Sequence, residues 1–310
     1  MNKIRIGTRG SALALRQTEI VEKVLSEKFP EIKLERVIIT TSGDKNTSKS
    51  LATIGGKGLF ISEIEKELAD GRIDIAVHSA KDLPSRTDKP FVIPAVLERE
   101  DPKDVYIALS EEKDSLANKA FKALQAGIYH EGNYSGLRIG TSSPRRENLI
   151  KRLLPGCEVV LLRGNVNTRL NKLRAGDCDA TLLAAAGLKR LGDAVDLTGL
   201  NMLELDTDIM IPGACQGIIA IETLEGTEAE QLISQIDHEP TMKLFDLQRR
   251  TMCLMNADCH DAAGVYARYT NPEEKEIKVS AFFGDSEIIH FDYDHDESDE
   301  ELKQHIEKIL

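Results

Sequence analysis

The feature that most constrains this chain is an alternation of short apolar runs, rich in β-branched residues, with longer amphipathic segments; it begins at residue 3 and restarts just after residue 100. Such alternation builds βαβ units, because parallel strands need a helical crossover where antiparallel ones need only a turn. The spacing predicts strands at 3–6, 34–40 and 73–77 and helices at 12–28 and 59–70, with Gly71 stopping the second helix. Pro84 discourages further regular structure after HSAKDLP. In the second round, strands are expected at 105–109, 137–140 and 158–162, with one helix over 144–154 and another ending at Gly176. A polar segment of roughly 25 residues follows residue 110, and the glycine-punctuated run MIPGACQGIIAIE reads as a strand returning to the first unit, with a helix at 228–237 after it. Beyond Thr241 come one helix, strands at 264–268, 277–283 and 288–293, and a final helix. The expected fold class is therefore α/β, with residues 1–100 and 208–238 as a first α/β domain, 101–207 as a second, and 239–310 as a small C-terminal α+β domain.

Apolar residues make up 41% of the 310 and charged residues 30%, which fits a folded globular protein. No stretch approaches the roughly 18 uninterrupted apolar residues of a membrane span, and MNKIRIGTRG lacks a signal-peptide core, so a cytoplasmic location without a membrane partner is expected. Forty Lys and Arg against 52 Asp and Glu give a net charge of -12. That balance argues against nonspecific affinity for nucleic acid, so any anion site must be local. Cys157, Cys178, Cys215, Cys253 and Cys259 are odd in number and form no CxxC pair, so they read as reduced thiols.

Three strand-to-loop transitions, IGTRGSALAL, AVHSAKDLP and IGTSSPRR, end in charged residues. Ligands of open α/β sheets sit outside the carboxyl ends of strands, so these loops are candidate site walls. Arg9 and Ser11 precede one helix and Lys57 another, at N-termini whose unsatisfied N–H groups attract anions. In GTSSPRR, Ser143 suits the N-cap and Pro144 the first helical position. Arg145 and Arg146 then fall in the first turn, where the helix dipole disfavours cations. They make sense facing a bound anion, in which case leucine at both positions leaves the fold intact; two solvated arginines on an exposed turn are the alternative. Arg163 and Arg169 flank RGNVNTR, again between strand and helix. With Arg9, Lys57, Lys81, Arg145 and Arg146 they suit a ligand with several carboxylates. A nucleotide fits less well: around GGKG, Leu51 stands where a Walker motif has its first Gly and Gly58 where it has Ser or Thr. Asp82 is either half of a surface ion pair or a general acid and counter-ion. His78 is expected to be packed or hydrogen-bonded, and no metal site is expected, Cys253, Cys259 and His260 included.

The blocks IRIGTRGSALALRQ, GGKGLFISEIEKELADGRIDIAVHSAKDLP, LEREDPKDV, IGTSSPRRENLIKRL, LRGNVNTRLNKL, AAAGLKRLG and PGACQGIIAIE follow one another over about three quarters of the chain. Through them it resembles the porphobilinogen deaminase (hydroxymethylbilane synthase) family of tetrapyrrole and heme biosynthesis. The resemblance implies two α/β domains of periplasmic-binding-protein type with the active cleft between them. It also implies a third domain whose loop cysteine carries a dipyrromethane cofactor through a thioether. The implied enzyme is a transferase that joins four porphobilinogen units head to tail on that primer with loss of ammonia, then releases the linear tetrapyrrole by hydrolysis. Carried onto this sequence, Asp82 is the catalytic carboxylate and Cys259 the attachment point. Lys57, Lys81, Ser143, Arg145, Arg146, Arg163, Arg169 and Arg190 hold the cofactor, and Arg9, Ser11 and Gln216 the substrate. The implied partners are porphobilinogen and the growing polypyrrole chain, with no nucleic acid and no membrane, in a cytoplasmic monomer.

The chemistry accounts for these residue types. Porphobilinogen that has lost ammonia is an electron-poor azafulvene, whose positive charge a carboxylate at Asp82 opposes. Cations neutralise a chain that gains two carboxylates per unit. The departure from the family lies at residues 256–264, NADCHDAAG, where members usually have Gly-Gly before the cysteine. If a glycine there takes positive φ, Asp258 accommodates it at modest cost and Ala257 less readily. Pro144 also stands where the family pattern has Leu, and the polar stretch 111–136 is longer than the family pattern, which implies a surface insertion. A non-catalytic, two-lobed solute-binding module is the alternative reading, supported only by this altered loop.

Overall fold

In the computed structural model the described residues are 1–40, 61–271, 276–294 and 297–310, so Lys57 lies outside them. They divide into two compact units, Met1–Glu100 with Ala214–Cys259 and Asp101–Gly213 with His260–Leu310.

The first unit opens with β1 (Lys3–Arg9), α1 (Ala12–Lys28) and β2 (Lys33–Ile39), and continues through α2 (Ser62–Ala69), β3 (Ile75–Ser79) and β4 (Phe91–Val96). Ser11 starts α1 by accepting from the Ala14 N–H at 3.3 Å, and Gln17, Thr18, Val21 and Leu25, at three- and four-residue spacing, form its buried face. Val21 and Leu25, both 0% exposed, contribute about 1.5–3 kcal/mol each by leaving water.

The second unit runs β5 (Asp104–Leu109), α3 (Leu116–Gln125), β6 (Arg138–Thr141), α4 (Pro144–Leu153), β7 (Glu158–Leu161), α5 (Val166–Arg174), β8 (Ala180–Ala184), α6 (Ala185–Leu191) and β9 (Leu200–Glu204). The chain then returns to the first unit in β10 (Ile219–Leu224), α7 (Glu228–Ile233) and α8 (Glu239–Leu254). The sheet orders are β2-β1-β3-β10-β4 and β7-β6-β8-β5-β9. In each, a parallel trio is followed by an antiparallel strand, β10 or β5, which is the first strand the chain makes after crossing between units.

Last come β11 (Ala263–Tyr269), β12 (Ile277–Phe283) and β13 (Ile289–Tyr293), an antiparallel meander, and α9 (Asp299–Ile306), started by a Ser298–Glu301 capping box. Tyr266 and Phe282 of this meander belong to the second unit's core, and Arg152 donates to the carbonyls of Gly284 and Ser286 at 2.8 and 2.7 Å. The fold class is as expected: two α/β sheets with a small C-terminal antiparallel sheet. Residues 239–310 are shared between the units, α8 clustering with the first and the meander with the second.

Several elements differ from the sequence reading. The stretch 111–136, for which no element was expected, contains α3, started by Ser115 and packed through Ala117, Ala120 and Leu124. Its signal is legible in the residues, a Ser115 cap followed by Leu116, Ala117, Ala120, Phe121 and Leu124 at helical spacing, and the polar composition of the whole stretch hides it. β4 forms despite Pro94, which an edge strand tolerates because one side needs no ladder bond. The return strand is confined to Ile219–Leu224, since Pro212, Gly213 and Gly217 before it interrupt the ladder.

Gly217 has φ +91°, and a Cβ there would stand 2.2 Å from the Glu100 carbonyl oxygen; Gly71, at φ +64°, has nothing within 4 Å. Gly71→Ala should therefore cost about 1–2 kcal/mol from backbone conformation alone. Gly217→Ala should cost at least about 1 kcal/mol more, because backbone must move as well. Urea denaturation of both variants measures the difference, and equal costs would contradict the close approach of these two segments.

Candidate active site

In the first unit, Arg9 is the last residue of β1, and Lys81 and Asp82 occupy the 3₁₀ turn Ala80–Asp82 that follows β3. The turn is pinned from behind. The Ala80 N–H donates to the Ile218 carbonyl at 3.0 Å, Ala80 and Leu83 are buried, and Ser79 and Gln17 exchange hydrogen bonds of 2.8 and 3.0 Å that tie it to α1. Asp82 is left exposed and Lys81 half-buried. Lys81 Nζ donates to Gln216 Oε1 at 3.3 Å, and Arg99 Nε to the Gln216 carbonyl at 2.9 Å. Gln216, which the resemblance assigns to the substrate, is 1% exposed and steadies Lys81. Ser11 is engaged as the cap of α1. His78 is hydrogen-bonded, as expected, its Nε2 lying 2.9 Å from Oε2 of the buried Glu222.

In the second unit Ser143 caps α4, accepting from the Arg146 N–H at 3.4 Å, with Pro144 in the first turn as predicted. Arg145 and Arg146 depart from the solvated alternative for GTSSPRR. Each is 5% exposed, and one anion that both face belongs to the protein. Arg145 Nη1 donates to Asp104 Oδ2 at 2.7 Å, and Arg146 donates to Oδ1 from Nε at 3.1 Å and from Nη2 at 2.8 Å. Asp104 is 0% exposed. Burial pulls the Arg145 guanidinium below its usual pKa, and the Asp104 charge opposes that shift. The expectation that leucine at both positions leaves the fold intact is overturned, because it would strand a buried carboxylate. Sequence reasoning missed Asp104, which lies 41 residues from Arg145. Arg163, Arg169 and Arg190 are half-buried, Arg169 Nε donating to the Gly164 carbonyl at 2.8 Å.

The cysteines sort by burial. Cys157, Cys178 and Cys215 are buried, Cys253 is intermediate with Arg86 Nε 2.6 Å from its sulfur, and Cys259 is exposed. Burial raises the pKa of the Cys157 thiol, moves Cys178 to about 11 and Cys215 to about 12, all away from the nucleophilic thiolate. The Cys259 loop leaves α8 by a Schellman motif: the Asn256 N–H donates to the Cys253 carbonyl and the Ala257 N–H to the Met252 carbonyl, both at 3.0 Å. Asn256, at φ +50°, holds the left-handed position, so neither Ala257 nor Asp258 bears the strain considered for them. Ala257 is instead 2% exposed beside the helix end, the apolar contact that accompanies such a cap. Asp258 Oδ1 accepts from the Cys259 N–H at 2.9 Å.

A family model described as "Porphobilinogen deaminase, dipyromethane cofactor binding domain" matches residues 4–231. The chain is 40% identical over 274 residues to the porphobilinogen deaminase of Rickettsia akari (strain Hartford), covering 88% of this chain and 85% of that one. The chain belongs to the porphobilinogen deaminase family. The porphobilinogen deaminase of Rickettsia bellii (strain OSU 85-389) is 41% identical over 270 residues, 87% of this chain and 84% of that one. Among solved structures, the periplasmic aliphatic sulphonate binding protein SsuA from Escherichia coli aligns with 83% of this chain and 71% of its own at a TM-score of 0.40 and 14% identity.

Two variants test the local readings. Arg146→Leu should destabilise the fold by about 3–5 kcal/mol, as removal of one partner from a buried ion pair does; a midpoint of chemical denaturation close to wild type would refute the pairing with Asp104. At the helix end, Asn256→Gly should be neutral or slightly stabilising and Asn256→Val should cost about 1–2 kcal/mol, read by thermal melting.

Proposed function

We propose that this member of the porphobilinogen deaminase family condenses four porphobilinogen units head to tail, with loss of ammonia, on a dipyrromethane primer attached through Cys259, and then releases hydroxymethylbilane by hydrolysis. The observation that carries the reading is the exposure of the Cys259 thiol alone among the five cysteines, on a loop held firmly at its helix end. The residues fit such a group: a thiol open to an electrophile, and half-buried cations beyond the strand ends for its acetates and propionates. A bound dipyrromethane would supply a nucleophilic pyrrole carbon from which the chain can grow.

The protein's own groups then have separable tasks. Asp82 presents its charge on a turn locked by Ser79, Gln17 and Ile218, where it can accept hydrogen bonds from pyrrole N–H groups and oppose positive charge as ammonia leaves. Lys81, oriented by Gln216, and Arg9, Lys57, Arg145, Arg146, Arg163, Arg169 and Arg190 neutralise carboxylates, Ser11, Ser143 and Gln216 add neutral hydrogen bonds, and together they hold the reacting carbons in line. We assign residues 1–100 with 208–238, 101–207 and 239–310 to three functional domains, the last presenting the cysteine. The chain acts as a cytoplasmic monomer with neither nucleic acid nor membrane as partner, in keeping with its net charge of -12. Among the described residues no helix is long and apolar enough to cross a membrane. The non-catalytic solute-binding alternative is disfavoured by the relatives.

Intact mass and turnover test the proposal together. Cys259→Ser should lack the dipyrromethane mass increment and consume no porphobilinogen, while Cys253→Ser keeps both; an adduct mapped to another cysteine would refute the assignment. Asp82→Asn should keep the increment if loaded and lose about 10²- to 10³-fold in turnover. Near-normal turnover in that variant would remove Asp82 from the chemistry.

A further inference from the structure

Asp104 has no exposed surface, yet it divides its carboxylate between two guanidiniums: Oδ2 takes Arg145 Nη1 and Oδ1 takes Nε and Nη2 of Arg146. Two backbone carbonyls hold the arginines from the other side, Ile211 accepting from Arg145 Nη1 at 2.6 Å and Leu182 from Arg146 Nη1 at 2.9 Å. The cluster thus carries two positive charges and one negative. Among the described residues every hydrogen bond of the Arg145 side chain runs through Nη1, which leaves its Nε–Nη2 edge, the edge that grips a carboxylate bidentately, for another acceptor. Gly213 lies beside that edge, where a Cβ would stand 3.4 Å from Nε, an ordinary contact.

We propose that Asp104 is a positioning residue for the condensation, fixing Arg145 and Arg146 so that the pair presents one net positive charge and one open guanidinium edge to a carboxylate of the pyrrole chain. The proposal rests on the reading of these arginines as anion-holding groups. Asp104 lies just after the crossing between units at Glu100/Asp101, and Ile211 just before the crossing at Gly213/Ala214, so the same bonds anchor the arginines to both linking segments of the chain.

The test uses the cofactor-loaded full chain. Asp104→Glu keeps the charge but displaces it by one methylene, and Asp104→Asn keeps the shape but turns an NH₂ toward a guanidinium. Both should retain the dipyrromethane mass increment, lose about 10²-fold in turnover, as a displacement near 1 Å does, and accumulate partly extended chains in the intact-mass spectrum. A role limited to balancing charge in the fold would be rescued by Glu, so wild-type turnover and mass distribution in a folded Asp104→Glu enzyme would overturn the proposal. Arg145→Lys separates the two readings. It keeps a cation for Asp104 but lacks the Nε–Nη2 edge, so normal elongation there overturns the arginine reading and the proposal with it. Defective elongation in Arg145→Lys beside a normal Asp104→Glu overturns only the proposal. If neither Asp104 variant folds, hydrogen exchange of the Arg146 Nε–H in wild type decides: protection unchanged when porphobilinogen is added supports the proposal, and its loss overturns it.

Discussion

A single carboxylate with no access to solvent holds two arginines that also have almost none, and much of the second unit is arranged around that fact. Three buried charges carry a large desolvation cost, offset only if each finds good partners. Asp104 at the start of β5, the first turn of α4, the Leu182 carbonyl in β8 and the Ile211 carbonyl supply them. Four separate stretches of chain therefore converge on one charge cluster. Cations in the first turn of α4 oppose the helix dipole, and the nearby carboxylate offsets that penalty.

The first unit solves the complementary problem of keeping functional groups accessible. Its turn after β3 buries Ala80 and Leu83 and leaves Asp82 outside, while Gln216, itself buried, reaches Lys81. The same division governs the cysteines. Desolvation raises the pKa values of Cys157, Cys178 and Cys215, so their thiols stay protonated and inert, and the sulfur that is open to reaction is on the loop after α8. That loop lacks the glycines usual in the family, and its geometry needs none at Ala257 or Asp258. The left-handed turn falls on Asn256, one of the few residue types that adopt it readily, and Ala257 gains an apolar contact a glycine could not make.

The sequence by itself determined what depends on neighbours along the chain. Helix α1 spans Ala12–Lys28, where its apolar spacing and serine cap put it, and Ser143 and Pro144 begin α4 for the same local reasons. The cations beyond the strand ends were legible because strand and helix boundaries carry their own chemistry, and the family motifs singled out Asp82 and Cys259. Tertiary structure decided what depends on residues far apart. Pro94 lies in a strand because that strand is an edge, and Arg145 and Arg146 face Asp104 because β5 and β6 flank β8 in one sheet. Periodicity and capping are written within a few residues, whereas a buried charge takes the partner that folding brings to it, and nothing in the spacing of GTSSPRR announces a carboxylate 41 residues away.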